Sequence, residues 1–282
     1  MQHFPLGLTQ EQLEHYKKVY SITYHLNYLE CCLQYIPLKS IDVLEVGGGL
    51  PPSLVLDHLG CNSWTGVEEL SYYREAGYDY HFHRNDQNVS AQMEYAGRYK
   101  LLFMRIEEIP EDHFGKYDLV FSIASFEHMD RLPLALEKMF HCLKPGGKLF
   151  TMFSPIWSAF DGHHLPIGIP DRFDKSLEHQ NYIFRPWGHL LQTRTKAYLD
   201  LLARFDCRFA EEIIYYTYNS NQINRYFSED YINIFRHSRF QVELCQPTFI
   251  SPIDNEIQFE LERRYPDYRL FNNNGILGIL SK

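Results

Sequence analysis

Val43-Leu44-Glu45-Val46-Gly47-Gly48-Gly49-Leu50-Pro51-Pro52 decides the fold of this 282-residue chain. A β-branched and leucine run ends in an acid, three glycines follow, and two prolines open an apolar stretch. That order predicts a buried strand, a tight turn and a helix start, where bare backbone can approach a nucleotide-like ligand. Spacing narrows the ligand. A dinucleotide fingerprint puts glycine at the first, third and sixth places, but Gly47 and Gly49 are followed by Pro52 at the sixth. Proline suits a first helical turn and serves a close phosphate approach less well, which disfavours a nicotinamide cofactor. No Lys-Ser/Thr pair follows the glycines, so a nucleoside-triphosphate loop is excluded.

Outward from this stretch, strands and helices alternate. Ser63-Trp64-Thr65-Gly66-Val67-Glu68 reads as a second strand, ending in an acid 19 positions after Gly49. An acid near that distance is suited to the two hydroxyls of a ribose. Leu101–Met104 and Leu119–Ser122 read as further strands, and Pro52–Leu59 as a helix ended by Gly60. Leu132, Leu136, Met139, Phe140 and Leu143 mark one buried helix face, and Pro145-Gly146-Gly147 leads into a strand at Leu149–Phe153. Such alternation predicts a parallel sheet with helices on both faces and a ligand at the carboxyl ends of the strands.

The flanks differ in character. Residues 9–37 carry one helical pattern, with Thr9 as N-cap, Gln12 at the third helical position, and an aromatic stripe of Tyr16, Tyr20, Tyr24 and Tyr28. From Pro155 to about Asn221 the alternation stops. Pro155, Pro166, Pro170 and Pro186 fall inside 35 residues with Trp157, Trp187, His163, His164, His179 and His189, which reads as an inserted cap. Beyond it, Ser228–His237 and Gln258–Arg264 read as helices, and Gln241–Phe249 and Gly275–Leu280 as strands.

Composition sets bounds. A formal charge of −9 with no run of basic residues argues against a nucleic-acid substrate. No stretch of about 18 apolar residues occurs, and Met1-Gln2-His3-Phe4-Pro5 lacks a secretory layout, so neither membrane nor export is expected. Six cysteines show no metal or redox spacing, which points to a reducing, cytoplasmic compartment.

Five motifs stand in series: the glycine turn, Phe103-Met104-Arg105-Ile106-Glu107-Glu108-Ile109-Pro110, Lys116-Tyr117-Asp118-Leu119-Val120-Phe121-Ser122, Phe126-Glu127-His128-Met129, and Leu143-Lys144-Pro145-Gly146-Gly147-Lys148-Leu149. In that order they resemble a class I S-adenosylmethionine-dependent methyltransferase of the small-molecule type, with a methyltransferase-11-like core. The resemblance covers residues 41–155 and resumes at Asn224-Arg225-Tyr226 and the last strand. It implies an α/β, Rossmann-like, doubly wound and mostly parallel seven-stranded sheet with an N-terminal helical segment and an inserted cap. The division expected is a helical lid at 1–40, the cofactor-binding core at 41–155, the cap and substrate region at 156–222, and the rest of the sheet at 223–282.

The resemblance also implies cofactor contacts. Glu45, with the turn of Gly47 and Gly49, would meet the methionine moiety of S-adenosylmethionine, directly or through water. Glu68 would take the ribose hydroxyls, with Glu69 standing in if the strand ends one residue later. Ser122 would flank the methionine portion. Where the family often carries an adenine-binding acid this chain has Arg105, leaving Ile106 to stack on the ring with Glu107 beside it.

Methyl transfer from a sulfonium needs positioning and removal of a proton, and histidine is the usual base near neutral pH. The candidates are His128 after the fourth strand and the cap residues His163, His164 and His189, with the cap trio favoured. Asp161, His163 and His189 fit a hard metal ion poorly, so no metal is expected. The expected reaction is O-methylation of a small hydroxylated molecule, such as a sugar or sugar-containing metabolite, giving S-adenosylhomocysteine as product. N- or C-methylation and a non-catalytic S-adenosylmethionine-binding protein are the alternatives. Oligomeric state is left open.

Overall fold

The computed structural model describes residues 5–20, 22–69, 94–165 and 183–282. Pro166, Pro170 and His179 of the expected cap lie outside the described residues.

β1 (Asp42–Val46) is central and pairs in parallel with β2 (Ser63–Glu68) on one side and β5 (Tyr117–Ile123) on the other. β4 (Tyr99–Phe103) continues the parallel set beyond β2, and β6 (Leu143–Phe153) beyond β5. β8 (Asn273–Ser281) then inserts antiparallel between β6 and β7 (Gln241–Ile250). These seven strands form the expected mostly parallel, doubly wound sheet. A two-residue strand, β3 (Glu94–Tyr95), adds an antiparallel edge that the sequence pattern did not announce. Because the chain runs outward from β1 through β2 and β4 and then returns to β5 on the other side of β1, the strand order reverses there, and a crevice opens at the carboxyl ends of β1 and β5.

Strand alternation sends side chains to two cores. On one face Val43, Trp64, Leu119 and Phe121 pack with the N-terminal helices, and on the other Leu44, Val46, Val67 and Val120 pack with later helices. Phe121 stacks on Phe150 with centroids 5.8 Å apart, both fully buried. Truncating such a ring to alanine costs about 3–5 kcal/mol.

The single helical pattern over 9–37 is corrected. The chain makes two helices, α1 (Gln10–Tyr20) and α2 (His25–Leu33). The run Ile22-Thr23 between them is β-branched, which weakens helix continuation. The Thr9 cap is present, with Gln12 N–H donating to Thr9 Oγ1 at 3.2 Å and Thr9 N–H to Gln12 Oε1 at 2.8 Å. The tyrosine stripe divides too: Tyr16 and Tyr28 are buried, whereas Tyr24 is half exposed. After the glycine turn the expected helix is a wide π-helical turn, Ser53–His58, in which Leu59 N–H reaches Leu54 O at 2.9 Å.

α3 (Leu132–Cys142) precedes β6, and its expected buried face is seated on the second core. Among the described residues between β6 and α7 (Ser228–His237) lie three helices: α4 (Gly188–Leu191), α5 (Arg194–Leu202) and α6 (Cys207–Tyr218). α5 and α6 share an apolar cluster with Ile183 and Phe184. Their N-caps follow a simple rule, Thr193 and Asp206 each accepting from a backbone N–H three residues on. α8 (Asn255–Arg264) links β7 to β8. No helix among the described residues is long and apolar enough to cross a membrane.

Candidate active site

The glycine turn lies where the sequence put it, at the end of β1. Gly47 has φ +81°, and a Cβ there would sit 1.6 Å from Ser125 Oγ, so only glycine fits between β1 and the loop after β5. Glu45 is buried behind this turn. Its Oε2 accepts from Leu50 N–H at 2.8 Å and from Trp64 Nε1 at 2.7 Å. Burial raises its carboxyl to about 7, those two donors opposing the rise. One oxygen of the expected methionine-binding acid is therefore engaged in holding the turn. Gly49 is buried in the same turn.

Glu68 ends β2 and is also buried. Its Oε1 accepts from the Glu69 N–H at 3.0 Å, and burial raises the carboxyl to about 8. The strand closes at Glu68, which leaves Glu69 just past its end and half buried. A carboxylate at a strand end, met by one backbone N–H among the described residues, has the capacity to accept from a pair of hydroxyls.

Beside β4, Ile106 is buried in a 3₁₀ turn. Glu107 is occupied by Arg105, whose guanidinium donates to it at 2.9 Å and also reaches Asp130. Ser122 spends its hydroxyl on Val46 O at 2.8 Å, tying β5 to β1. All these groups ring the crevice at the carboxyl ends of the strands.

The four histidines meet in two pairs, His128 with His164 and His163 with His189. His128 follows β5, and its Nδ1 donates to Gln222 O, which orients the ring and puts the lone pair on Nε2. Burial lowers its pKa below the ordinary histidine value. His164 meets it edge-on with centroids 4.6 Å apart. His163 stands 5.6 Å from His189. His189 is buried, and its Nε2 donates to Trp157 O at 2.9 Å. Burial drives its pKa down to about 4, so it stays neutral and weakly basic near pH 7. Gly162 makes this loop possible, since a Cβ there would lie 2.3 Å from Ile156 O. No group of three or more His, Cys, Asp or Glu able to hold a metal occurs among the described residues.

One residue of the site went unremarked in the sequence. Glu127, quoted beside His128, is 1% exposed at the same mouth. Its signal was weak, because an acid in a helical turn ordinarily faces water.

A methyltransferase-domain family model matches residues 27–233, well over half the chain. The chain belongs to the methyltransferase-domain family. It is a class I S-adenosylmethionine-dependent methyltransferase, and S-adenosylmethionine is its cofactor. Among solved structures, this methyltransferase is similar to an S-adenosylmethionine-dependent methyltransferase from Mesorhizobium loti, at 12% identity and TM-score 0.49, over 93% of this chain and 99% of that one. It is also similar to phosphoethanolamine N-methyltransferase 2 from Haemonchus contortus in complex with S-adenosylmethionine, at 15% identity and TM-score 0.46, over 91% and 52%. No curated protein sequence matches the methyltransferase. The residues present suit the cofactor: a side-chain-free turn at Gly47 and a buried strand-end acid at Glu68.

Proposed function

We propose that this enzyme methylates an oxygen of a small hydroxylated molecule, a sugar or sugar-containing metabolite, with His128 as general base. The observation that carries this reading is the His128 bond to Gln222 O at the carboxyl end of β5. A ring held at Nδ1 presents Nε2 to a hydroxyl, and the neighbouring edge of His164 brings the cap to the same place. His189 serves better as a positioning residue, because its Nε2 proton is spent on Trp157 and its basicity is low. His163, against His189, supports that wall of the cap.

Bound S-adenosylmethionine supplies an already activated methyl group. The protein's own tasks are to orient the nucleophile, exclude water and take one proton. In this reading Glu68 holds the ribose, with Glu69, one residue past the strand end, as the second candidate. The Gly47–Gly49 turn, Glu45 and Ser122 line the methionine portion, and Ile106 and Glu107 border the adenine. Trp157 and Trp187 are buried in one apolar cluster with Leu190, Phe227, Leu261 and Phe271, where they brace the wall that carries His189.

The chain's net charge of −9 supports a small-molecule acceptor over nucleic acid. Six free thiols, with Cys61 and Cys142 pushed up to about 12 by burial, support a cytoplasmic setting in which they stay reduced.

The test follows S-adenosylhomocysteine formation against a panel of sugars and sugar nucleotides. His128→Ala should cut turnover by about 10²–10⁴-fold and leave S-adenosylhomocysteine affinity unchanged. The wild-type rate should fall at acid pH along a limb below the ordinary histidine value, and the variant should lack that limb. If His164→Ala or His163→Ala shows this pattern while His128→Ala retains turnover, the base lies in the cap.

A further inference from the structure

Glu127 is buried in the turn just past the end of β5, and no side chain among the described residues hydrogen-bonds its carboxyl. Neither carboxylate oxygen has a hydrogen-bond partner among the described residues, and none of the described cations pairs with it. Its backbone is anchored, with Asn224 N–H donating to Glu127 O at 2.8 Å. Nearby hydroxyls are committed elsewhere. Tyr28 Oη pairs with Ser154 Oγ at 3.1 Å, and Tyr231 Oη donates to Asn224 Oδ1 at 2.6 Å.

Three tyrosines nonetheless feel the carboxyl. Desolvation first and the Glu127 charge second raise the hydroxyl pKa values of Tyr24, whose ring keeps one side in solvent, and of the fully buried Tyr231. At Tyr28 burial raises the value, the Ser154 bond opposes it, and Glu127 adds to the rise. Tyr24 and Tyr28 lie 5.5 Å apart at the start of α2, with His25 stacked on Tyr24 at 4.1 Å and kept neutral by burial. Burying a carboxyl without partners is costly, so its retention points to an occupant that repays the cost. A single hydroxyl would satisfy one oxygen. An ammonium brings three donors and a full charge, and aromatic rings attract a cation to their faces.

We propose that Glu127, beside Tyr24 and Tyr28, holds a protonated amine of the acceptor, which makes that acceptor an amine-bearing hydroxylated molecule of the amino-sugar or amino-alcohol class. This rests on the O-methylation reading: an amine kept protonated is no nucleophile, so the methyl goes to the hydroxyl at His128. Burial pushes the empty carboxyl up to about 8, with the nearby backbone N–H groups of Glu127 and Ser154 opposing. Capture of an ammonium then releases one proton to solvent.

The experiment titrates the Glu127 carboxyl by carbon-13 NMR in the protein loaded with S-adenosylhomocysteine. Ethylammonium chloride and ethanol are the probes, at matched concentrations carried to saturation. Ethylammonium should make the Glu127 carboxyl at least about tenfold more acidic, ethanol should leave it in place, and ring signals of Tyr24 and Tyr28 should shift with the amine alone. In Glu127→Gln, whose melting temperature reports its fold, those ring shifts should vanish. A Glu127 pKa that ignores ethylammonium, or that already lies in the ordinary carboxylate range, overturns the inference. The His128→Ala turnover result tests the underlying reading separately, since either outcome can occur without the other.

Discussion

Trp64 Nε1 donates to Glu45 Oε2 across 2.7 Å, joining β2 to β1 just below the glycine turn. The same oxygen takes the Leu50 N–H, so one carboxylate fixes both the neighbouring strand and the far end of the turn. Trp64→Phe keeps most of the buried ring and deletes the donor. It should lower unfolding stability by about 1–3 kcal/mol, the scale of a lost bond to a buried acceptor. It should also weaken S-adenosylhomocysteine binding through the loosened turn. Urea denaturation and calorimetry check both, and a variant as stable as wild type would show that the bond contributes nothing.

Gly47→Ala should be far more damaging than its size suggests. The position has φ +81°, and the new Cβ would collide with Ser125 Oγ. The left-handed conformation alone costs about 1–2 kcal/mol, and the clash adds to it. Adding Ser125→Gly removes the colliding side chain, so the double variant should regain stability and keep only the backbone penalty. Thermal melts of the two single variants and the double separate these contributions.

Glu68→Ala tests the ribose role. S-adenosylhomocysteine affinity should weaken by about 1–3 kcal/mol, with the fold retained. Unchanged affinity by calorimetry would remove Glu68 from the cofactor contacts and shift attention to Glu69.

The buried acids make a pH signature. Burial raises Glu45 to about 7, and Glu68 and Glu127 to about 8, from an ordinary value near 4.5. A raised folded value means that each acid's contribution to stability is full below the unfolded pKa. It is lost as pH rises through the folded one. Each tenfold change in a carboxyl's proton affinity on folding is worth about 1.4 kcal/mol. The stability of ligand-free Glu127→Gln relative to wild type should therefore rise from about pH 4.5, the ordinary carboxyl value, to about pH 8, the folded value, and level off above it. Denaturant titrations across and above that range give the difference, and a flat line would place the folded Glu127 pKa at the ordinary carboxyl value.

By itself the sequence determined the sheet. The short apolar runs at Val43–Val46 and Leu119–Phe121, the glycine turn, and the cap at Thr9 are local signals. Strand–helix alternation then leaves few topologies. Even the acids at the ends of β1 and β2 were legible, because strand ends are readable from composition. Tertiary structure decided what local pattern could not carry. The split between α1 and α2, the π-helical turn after the prolines, and the helices α4, α5 and α6 depend on packing against distant surfaces. Above all, side-chain partners depend on where remote segments meet. Glu45 finds Trp64, His128 finds Gln222, and Glu127 finds none among the described residues, through contacts spanning 19 and 94 positions in the first two cases. An acid's exposure is set by what folds over it, and the backbone of Glu127 is anchored from chain about a hundred residues on, where Asn224 N–H donates to Glu127 O.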